Sequence, residues 1–460
     1  MSSTLHRRFG IWAAMAMIVA EVMGVGLFLT PAGMARTIGA TWWVLGVWVV
    51  VGLLSVAGAL CFAELGSRFP EAGGSYVFLR EAFGERCAFV YGWMALLVMD
   101  PGLAAALGVG LARYVLVVTK GPASLVPVVA IGCIVILAGV SILGIQTSAR
   151  LLRWTTIAKV AAIAILVVAV LARNGGGASA GEGPVTGASG IPSVGILAGS
   201  LMGAFFAIAG WWDLGKMSEE IVEPQRTLPV ALVGGIVIVT VIYAQLSVAF
   251  MHALQGQALP TDEAFVSALG TTLFGSNSAT ILGAVIVVAV AGSLSAVLLG
   301  APRVYLAMAR SGVFPAALVR FHPTRQSAPR ATLIQVALAC LLVTLGTFDQ
   351  ILGYFVPVVV LFLGLSAAAI LVLPRPQPDA TVFRSPWHPL PIAMFLVLVA
   401  VMIVLFALGR PMQTLIGAAV VALGVPVSWF VVKRPRRAAA ISTTPALAVP
   451  LSPPAPWTKS

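Results

Sequence analysis

The chain has 460 residues, of which 60% are hydrophobic and 9% are charged, and its formal net charge is +12. A soluble domain is closer to half apolar and a quarter charged, so this composition excludes an ordinary soluble fold. Because one membrane crossing takes about 20 apolar residues, the length is enough for roughly a dozen spans. The four cysteines show no metal-ligand spacing and no P-loop occurs, so we predict no metal, no cofactor and no catalytic residues.

Apolar segments follow one another along the whole chain. They cover residues 9–38, 42–65, 88–118, 124–143, 154–171, 194–217, 228–254, 279–309, 331–345, 351–373, 391–408 and 412–432. The tail, residues 433–460, is basic and then rich in Ala, Pro, Ser and Thr, a composition typical of disorder. We therefore predict an all-α integral membrane protein with twelve transmembrane helices and a disordered tail.

The basic residues indicate the orientation of these helices. With the N-terminus inside, 20 of the 27 Lys and Arg residues fall in inner loops and tails and 5 in outer loops. Cytoplasmic loops typically carry an excess of Lys and Arg, so we expect both termini to lie in the cytoplasm. We expect the protein to be located in the inner (plasma) membrane. The positive net charge then reflects topology and does not indicate nucleic-acid binding.

The first and sixth segments each contain glycines and charge near the expected membrane centre, at residues 21–26 and 210–216. Glycine costs about 1 kcal/mol inside a helix, and a central charge costs about 2.5–3.5 kcal/mol on insertion scales. One Gly-x-Gly alone is better explained by close helix packing. Two charged breaks at corresponding positions of two halves are instead typical of a transporter site built on inverted repeats.

Several ordered motifs occur around these breaks. They are MGVGLFLTP at 23–31, AELGSRFPEAGGSY at 63–76, SARLLRWTTIAK at 148–159, FAIAGW at 206–211, EEIVEPQRTLP at 219–229 and RVYLAMARSGVFP at 303–315. In order and spacing they resemble the amino acid–polyamine–organocation superfamily, in particular bacterial L-type amino acid permeases. The resemblance implies a leucine-transporter-type fold, with five helices in 9–171, five inverted helices in 194–373, two C-terminal helices in 391–432, and alternating access without ATP.

Helix ends at the two breaks would bind the common part of an amino acid. The half-helix after Gly24 has free N–H groups and a positive dipole end, which suit a carboxylate. The half-helix ending near Gly210 has free carbonyls, which suit an ammonium. The predicted substrate-binding residues are Val22, Met23, Gly24, Val25, Gly26, Leu27, Phe206, Ala209, Gly210 and Trp211. Val25 replaces the serine of the family motif, so the carboxylate would depend on backbone N–H groups.

Three acidic residues accompany these breaks, and we treat Glu21, Asp100 and Asp213 as candidates for recognising charge. Glu21 stands where relatives often have a neutral residue. It could form a structural ion pair, for instance with Lys159, bind a cationic substrate group, or carry a proton. Lys216 could be a partner of Asp213.

Lys159 lies in an otherwise apolar segment, where a lysine is costly and usually functional, although it could also reach the membrane surface. In sodium-independent members of the family, a lysine at this place substitutes for a sodium ion and contacts carbonyls of the first helix. The resemblance therefore implies that Lys159 is a coupling residue, and that transport is proton-coupled or an exchange.

The sequence thus predicts a secondary transporter of amino acids, acting as a symporter or an antiporter, and not an enzyme. The nearest alternative is a transporter of polyamines or other cationic amines. A protein of another class, a membrane sensor that binds a ligand without moving it, is also considered. The loop at 118–124 lacks the cysteine that links some relatives to a heavy chain, so we expect no disulfide-linked partner.

Overall fold

The computed structural model describes residues 6–24, 26–38, 40–173, 191–253, 275, 278–320, 322, 324–345, 348–376 and 381–432. These residues form helices joined by short connections, together with an isolated parallel bridge between Phe9 and Ile221. Val25, most of the polar stretch 174–192 and the tail 433–460 lie outside the described residues.

The α-helices of the described ranges carry the labels α1 to α16 in chain order. They are α1 Ile11–Val22, α2 Gly26–Ile38, α3 Thr41–Arg68, α4 Ser75–Phe83, α5 Glu85–Met94, α6 Asp100–Thr119, α7 Val126–Leu143, α8 Ile145–Arg173, α9 Val194–Ile208, α10 Pro224–Ala253, α11 Ser278–Gly300, α12 Pro302–Arg310, α13 Pro329–Leu345, α14 Phe348–Val372, α15 Leu390–Gly409 and α16 Pro411–Val431. A π-helical turn, Ala95–Met99, joins α5 to α6, and a 3₁₀ segment, Trp211–Glu220, follows α9.

Within the described ranges, eight helical segments are long and apolar enough to cross a membrane. They are Thr41–Arg68, Glu85–Thr119, Ala123–Leu143, Val194–Glu220, Pro224–Met251, Thr280–Arg310, Leu390–Gly409 and Pro411–Val431. Shorter apolar helices are Ile11–Val22, Pro329–Leu345 and Val356–Val372. The all-helical, multi-pass class predicted from the sequence is therefore confirmed, whereas the count of twelve spans and the inverted repeat stay predictions.

The structure differs from the predicted segments where a long apolar run changes its helical geometry. The third run contains the π-helical turn directly before Asp100, and the eighth is divided between α11 and α12 at Ala301. Hydrophobicity alone does not reveal such changes, because a π turn or a proline near a helix start leaves the run equally apolar.

Helix α1 packs against α8, α10 and α11. Close approach around it requires small residues. A Cβ atom added at Gly235 of α10 would lie 2.8 Å from Ile18 Cγ2, and one added at Gly24 would lie 3.3 Å from Ser293 Oγ. This packing brings side chains of α8, α10 and α11 to the end of α1, where the first break lies.

Candidate functional site

The first break separates α1, which ends at Val22, from α2, which begins at Gly26. The last carbonyls of a helix have no partner inside that helix and need one from outside. Lys159 of α8 supplies it, because its Nζ atom donates to Ala20 O at 2.8 Å and to Met23 O at 2.9 Å. Lys159 is fully buried, so its ammonium is held by the helix end and does not reach the membrane surface.

Two further side chains hold the same helix end. Ser293 Oγ of α11 donates to Ala20 O at 2.7 Å. Tyr243 of α10 is placed between the two breaks, and its hydroxyl lies 3.3 Å from Val22 O and 3.2 Å from Ala207 O. Sequence reasoning missed both residues, since a serine and a tyrosine are ordinary in an apolar span; only the three-dimensional contact distinguishes them.

The second break follows α9, which ends at Ile208. Gly210 has φ +111°, a left-handed conformation that glycine adopts without strain, and the chain continues as the 3₁₀ segment. The two breaks touch each other: a Cβ atom added at Gly26 would lie 3.1 Å from Ala207 Cα, and one added at Gly210 would lie 3.1 Å from Glu21 Cγ.

A cavity of about 80 Å³ lies between the two breaks. Its lining residues are Glu21, Val22, Gly24, Gly26, Met99, Asp100, Leu103, Ala106, Leu107, Phe205, Phe206, Ala207, Ala209, Gly210, Trp212, Asp213, Lys216, Val297, Val356, Val359 and Val360. Nine of the predicted site residues are among them, namely Glu21, Val22, Gly24, Gly26, Asp100, Phe206, Ala209, Gly210 and Asp213. The cavity therefore joins the unwound backbone to the acidic side chains.

Other predicted residues are placed differently. Met23 and Lys159 lie behind the lining, on the side of α1 where the carbonyls are held. Leu27 belongs to the first turn of α2, and its side chain is outside the description. Among the described residues, no group of His, Cys, Asp and Glu has the arrangement of a metal site.

The prediction for Trp211 needs correction, because Trp212 lines the cavity in its place. The Trp211 ring is packed edge-on against Phe62, with centroids 5.3 Å apart, and also contacts Phe395. It is 1% exposed and belongs to the core. The 3₁₀ geometry sets which of two adjacent tryptophans faces the cavity, and the sequence does not show where that geometry begins.

A buried network of charges occupies one wall of the cavity. Lys216 Nζ donates to Asp100 Oδ1 and to Asp213 Oδ2, both at 2.8 Å. The hydroxyl of Tyr305 donates to Asp100 Oδ2 at 3.3 Å. The pairing of Lys216 with Asp213 agrees with the sequence, but the contact with Asp100, 116 positions away, was not foreseen. The π-helical turn ends at Met99 and so sets the direction of Asp100.

Glu21 adjoins this network, because its carboxyl group lies within hydrogen-bonding reach of Asp213. Within the described part of the chain, its Oε1 atom is buried without a hydrogen-bond partner. The structural ion pair with Lys159 considered above is not formed in this conformation, since Lys159 Nζ contacts backbone carbonyls instead.

Glutamates at the other end of the bundle pair with arginines. Arg303 Nε of α12 donates to Glu220 Oε1 at 2.8 Å, and both side chains are buried. Arg310 Nη2 donates to Glu219 Oε1 at 3.0 Å. The backbone carbonyl of Glu220 also accepts the N–H of Phe9, at 3.1 Å. These contacts join α12 and the N-terminal segment to the end of the 3₁₀ segment.

Fold and site together define a multi-pass membrane protein with a cavity between two broken helices. A model of the amino acid permease family matches residues 9–430. The chain belongs to this family, which confirms the resemblance to the amino acid–polyamine–organocation superfamily.

Individual relatives are transporters. The chain is 27% identical to the serine/threonine exchanger SteT of Bacillus subtilis, over 94% of this chain and 98% of that protein. It is 28% identical to the human large neutral amino acids transporter small subunit 2, over 92% and 80%. It is 27% identical to the human cystine/glutamate transporter, over 94% and 87%. The family and these relatives support a role in amino acid transport, which is not an enzymatic role.

Proposed function

We propose that this protein is a sodium-independent secondary transporter that moves amino acids by alternating access. The single observation that carries the proposal is the buried ammonium of Lys159, bonded to Ala20 O and Met23 O directly behind the cavity. A fixed cation at a helix C-terminus compensates the partial negative charge that a bound sodium ion would otherwise compensate. Energy then comes from a proton gradient or from a second substrate.

The backbone at the two breaks supports recognition of the amino acid's common part. We assign the substrate carboxylate to the N-terminal end of α2, at Val25, Gly26 and Leu27, because free N–H groups and the helix dipole favour an anion there. We assign the ammonium to carbonyls of Phe206 and Ala209, with Val22 opposite. Substrates named for the relatives are serine, threonine, large neutral amino acids, cystine and glutamate, which share only these two groups.

The topology is part of the proposal. Residues 9–171 and 194–373 would form two inverted repeats of five helices, and residues 391–432 two further helices. The positive-inside bias supports cytoplasmic termini in an inner (plasma) membrane. We expect no disulfide-linked heavy chain.

The test is uptake by the purified full-length protein in liposomes, with a labelled panel of amino acids, at several pH values and with or without internal substrate. Uptake of at least one amino acid above protein-free liposomes is expected. Ligand-induced thermal stabilisation without any flux would contradict transport and favour a membrane sensor instead.

A further inference from the structure

The walls of the cavity carry more negative than positive groups. Glu21, Asp100 and Asp213 contribute three carboxylates. Lys216 contributes the one ammonium among the lining residues of the described chain, because Lys159 lies behind them. When all four groups are ionised, two negative charges remain uncompensated in an apolar surrounding, where unpaired charge is costly.

Lys216 is already engaged by its two neighbours. Its Nζ atom is 2.8 Å from an oxygen of Asp100 and 2.8 Å from an oxygen of Asp213. Tyr305 adds a hydrogen bond to Asp100 but no charge. One ammonium shared by two carboxylates leaves one negative charge in the network, even before Glu21 is considered.

Glu21 adds a third carboxylate, and its position is set by the second break. Its Cγ atom packs against Gly210, at 3.1 Å from the place of an added Cβ, so the carboxyl group is held at the second break beside Asp213. Its Oε1 atom is buried, and the described residues offer it no hydrogen-bond partner. A buried acceptor without a donor costs roughly 1–3 kcal/mol, more when it is charged. A donor supplied by the solute in the cavity would remove this cost.

One proton shared between Glu21 and Asp213 removes one of the two uncompensated negative charges. The second charge remains, and one cationic group of the solute would balance it. The opposite walls are apolar, with Leu103, Leu107 and Val359 among them. Methylene groups fit against such walls, while a terminal cation would reach the carboxylates.

We propose that Glu21, together with Asp213, binds a second cationic group of the transported solute. The substrate class is then an amino acid with a positively charged side chain, or the corresponding diamine. This inference rests on the proposed transport function and specifies its substrate.

The experiment uses three solutes of nearly equal length: lysine, norleucine, which lacks the terminal ammonium, and cadaverine, which lacks the carboxylate. Labelled uptake of each is measured in liposomes for the wild type and for Glu21→Gln, an isosteric change that removes the charge. We expect the wild type to favour lysine over norleucine, and Glu21→Gln to reduce that preference by about ten- to a hundred-fold, the loss of one charged hydrogen bond. Glu81→Gln, at the surface, is the matched control and should keep the preference.

Cadaverine separates the two sources of the cation. If cadaverine is taken up as well as lysine, the substrate class includes diamines. If cadaverine is not taken up, the class is restricted to amino acids. Both outcomes support a cation site at Glu21. If Glu21→Gln does not fold, Asp213→Asn and the thermal stabilisation of the wild type by lysine against norleucine provide the same comparison.

Three results would overturn the inference. Norleucine could be transported or bound as well as lysine by the wild type. Glu21→Gln could keep the wild-type preference. Alternatively, Glu21→Gln could abolish the pH dependence of norleucine uptake and leave the preference intact, which would make Glu21 a proton carrier. If the wild-type protein neither transports nor binds any of the three solutes or any other amino acid, the proposed function itself is refuted, and the inference with it.

Discussion

Lys159 holds the end of α1 with a buried ammonium. Its ammonium has no carboxylate partner among the hydrogen bonds of the described residues and contacts two carbonyls at the end of α1. Helix ends carry roughly half a negative charge, which a buried cation compensates. The arrangement links the position of α8 to the conformation of the first break, beside which the substrate would bind.

We predict that Lys159→Ala reduces amino acid uptake by more than about ten-fold, because Met23 O loses its donor and the helix end its cation, a change worth roughly 1–3 kcal/mol. Initial uptake rates in liposomes, normalised to folded protein by gel filtration, measure this. Lys120→Asn is the control, since Lys120 is an exposed residue at the end of α6. Unchanged uptake and unchanged pH dependence in Lys159→Ala would refute the coupling role.

Gly26 tests the contact between the two breaks. In Gly26→Ala, the new methyl group would lie 3.1 Å from Ala207 Cα, which is backbone and cannot rotate away. The methyl group would push the start of α2 away from Ala207 and so displace the N–H groups that we assign to the substrate carboxylate. Because such binding depends on precise placement, we expect uptake to fall by at least about ten-fold. Gly46→Ala in α3 meets nothing within 4 Å and should leave uptake unchanged. Equal activity of the two variants would argue against close contact at the breaks.

The sequence shows one part of the site and hides another. The breaks are visible because glycine and charge are rare at the centre of an apolar segment, and this rarity identified Glu21, Gly24 and Gly210. Tyr243 and Ser293 carry no such signal, since a neutral polar side chain costs little in a span. The contact between Lys216 and Asp100 depends on the packing of distant helices, which a single sequence does not encode locally.

At the scale of elements, the charge network joins α6 to the 3₁₀ segment. A buried ion pair contributes little net stability when intact, but removing one partner leaves an uncompensated charge that costs about 3–5 kcal/mol. A π-helical turn lies directly before Asp100, and such turns occur often at functional sites. The elements themselves were predictable from hydrophobic runs, whereas their π and 3₁₀ irregularities were not.

We predict that Lys216→Met lowers the thermal stability of the detergent-solubilised protein markedly, by an amount matching roughly 3–5 kcal/mol. Adding Asp100→Asn should recover part of the loss, since one of the two orphaned charges disappears. Arg80→Met removes the pairs with Glu71 and Glu81, whose side chains are partly exposed, and should cost only about 1 kcal/mol. A melting temperature of Lys216→Met equal to that of Arg80→Met would contradict the network.

Glu220 joins α12 to the N-terminal segment, on the side of the bundle where the N-terminus lies. Arg303 binds its side chain, and the backbone of Phe9 binds its carbonyl. We predict that Arg303→Met opens this side, so that a cysteine placed at Ser218, which is fully buried, is alkylated several-fold faster than in the parent. The same cysteine in an Arg80→Met background is the control. Equal rates in both backgrounds would exclude a closing role for this pair.

For the whole molecule, hydrophobic composition and the order of motifs were sufficient to indicate the all-helical, multi-pass class and the family. The conformation was not predictable, because the proposed alternating access would require one sequence to stabilise two arrangements of nearly equal free energy. In the structure the cavity lies between the breaks, and the ion pairs of Glu219 and Glu220 are formed. Transport would require these pairs to separate while the breaks keep their contacts with the solute.

Exchange in liposomes measures whether transport is independent of sodium and whether it depends on Lys159. Labelled substrate outside is exchanged against unlabelled substrate inside, with sodium chloride or choline chloride as the only salt. We expect equal initial rates in both salts for the wild type, and rates near background for Lys159→Ala. Exchange that requires sodium in the wild type would contradict the proposal that Lys159 takes the place of an ion.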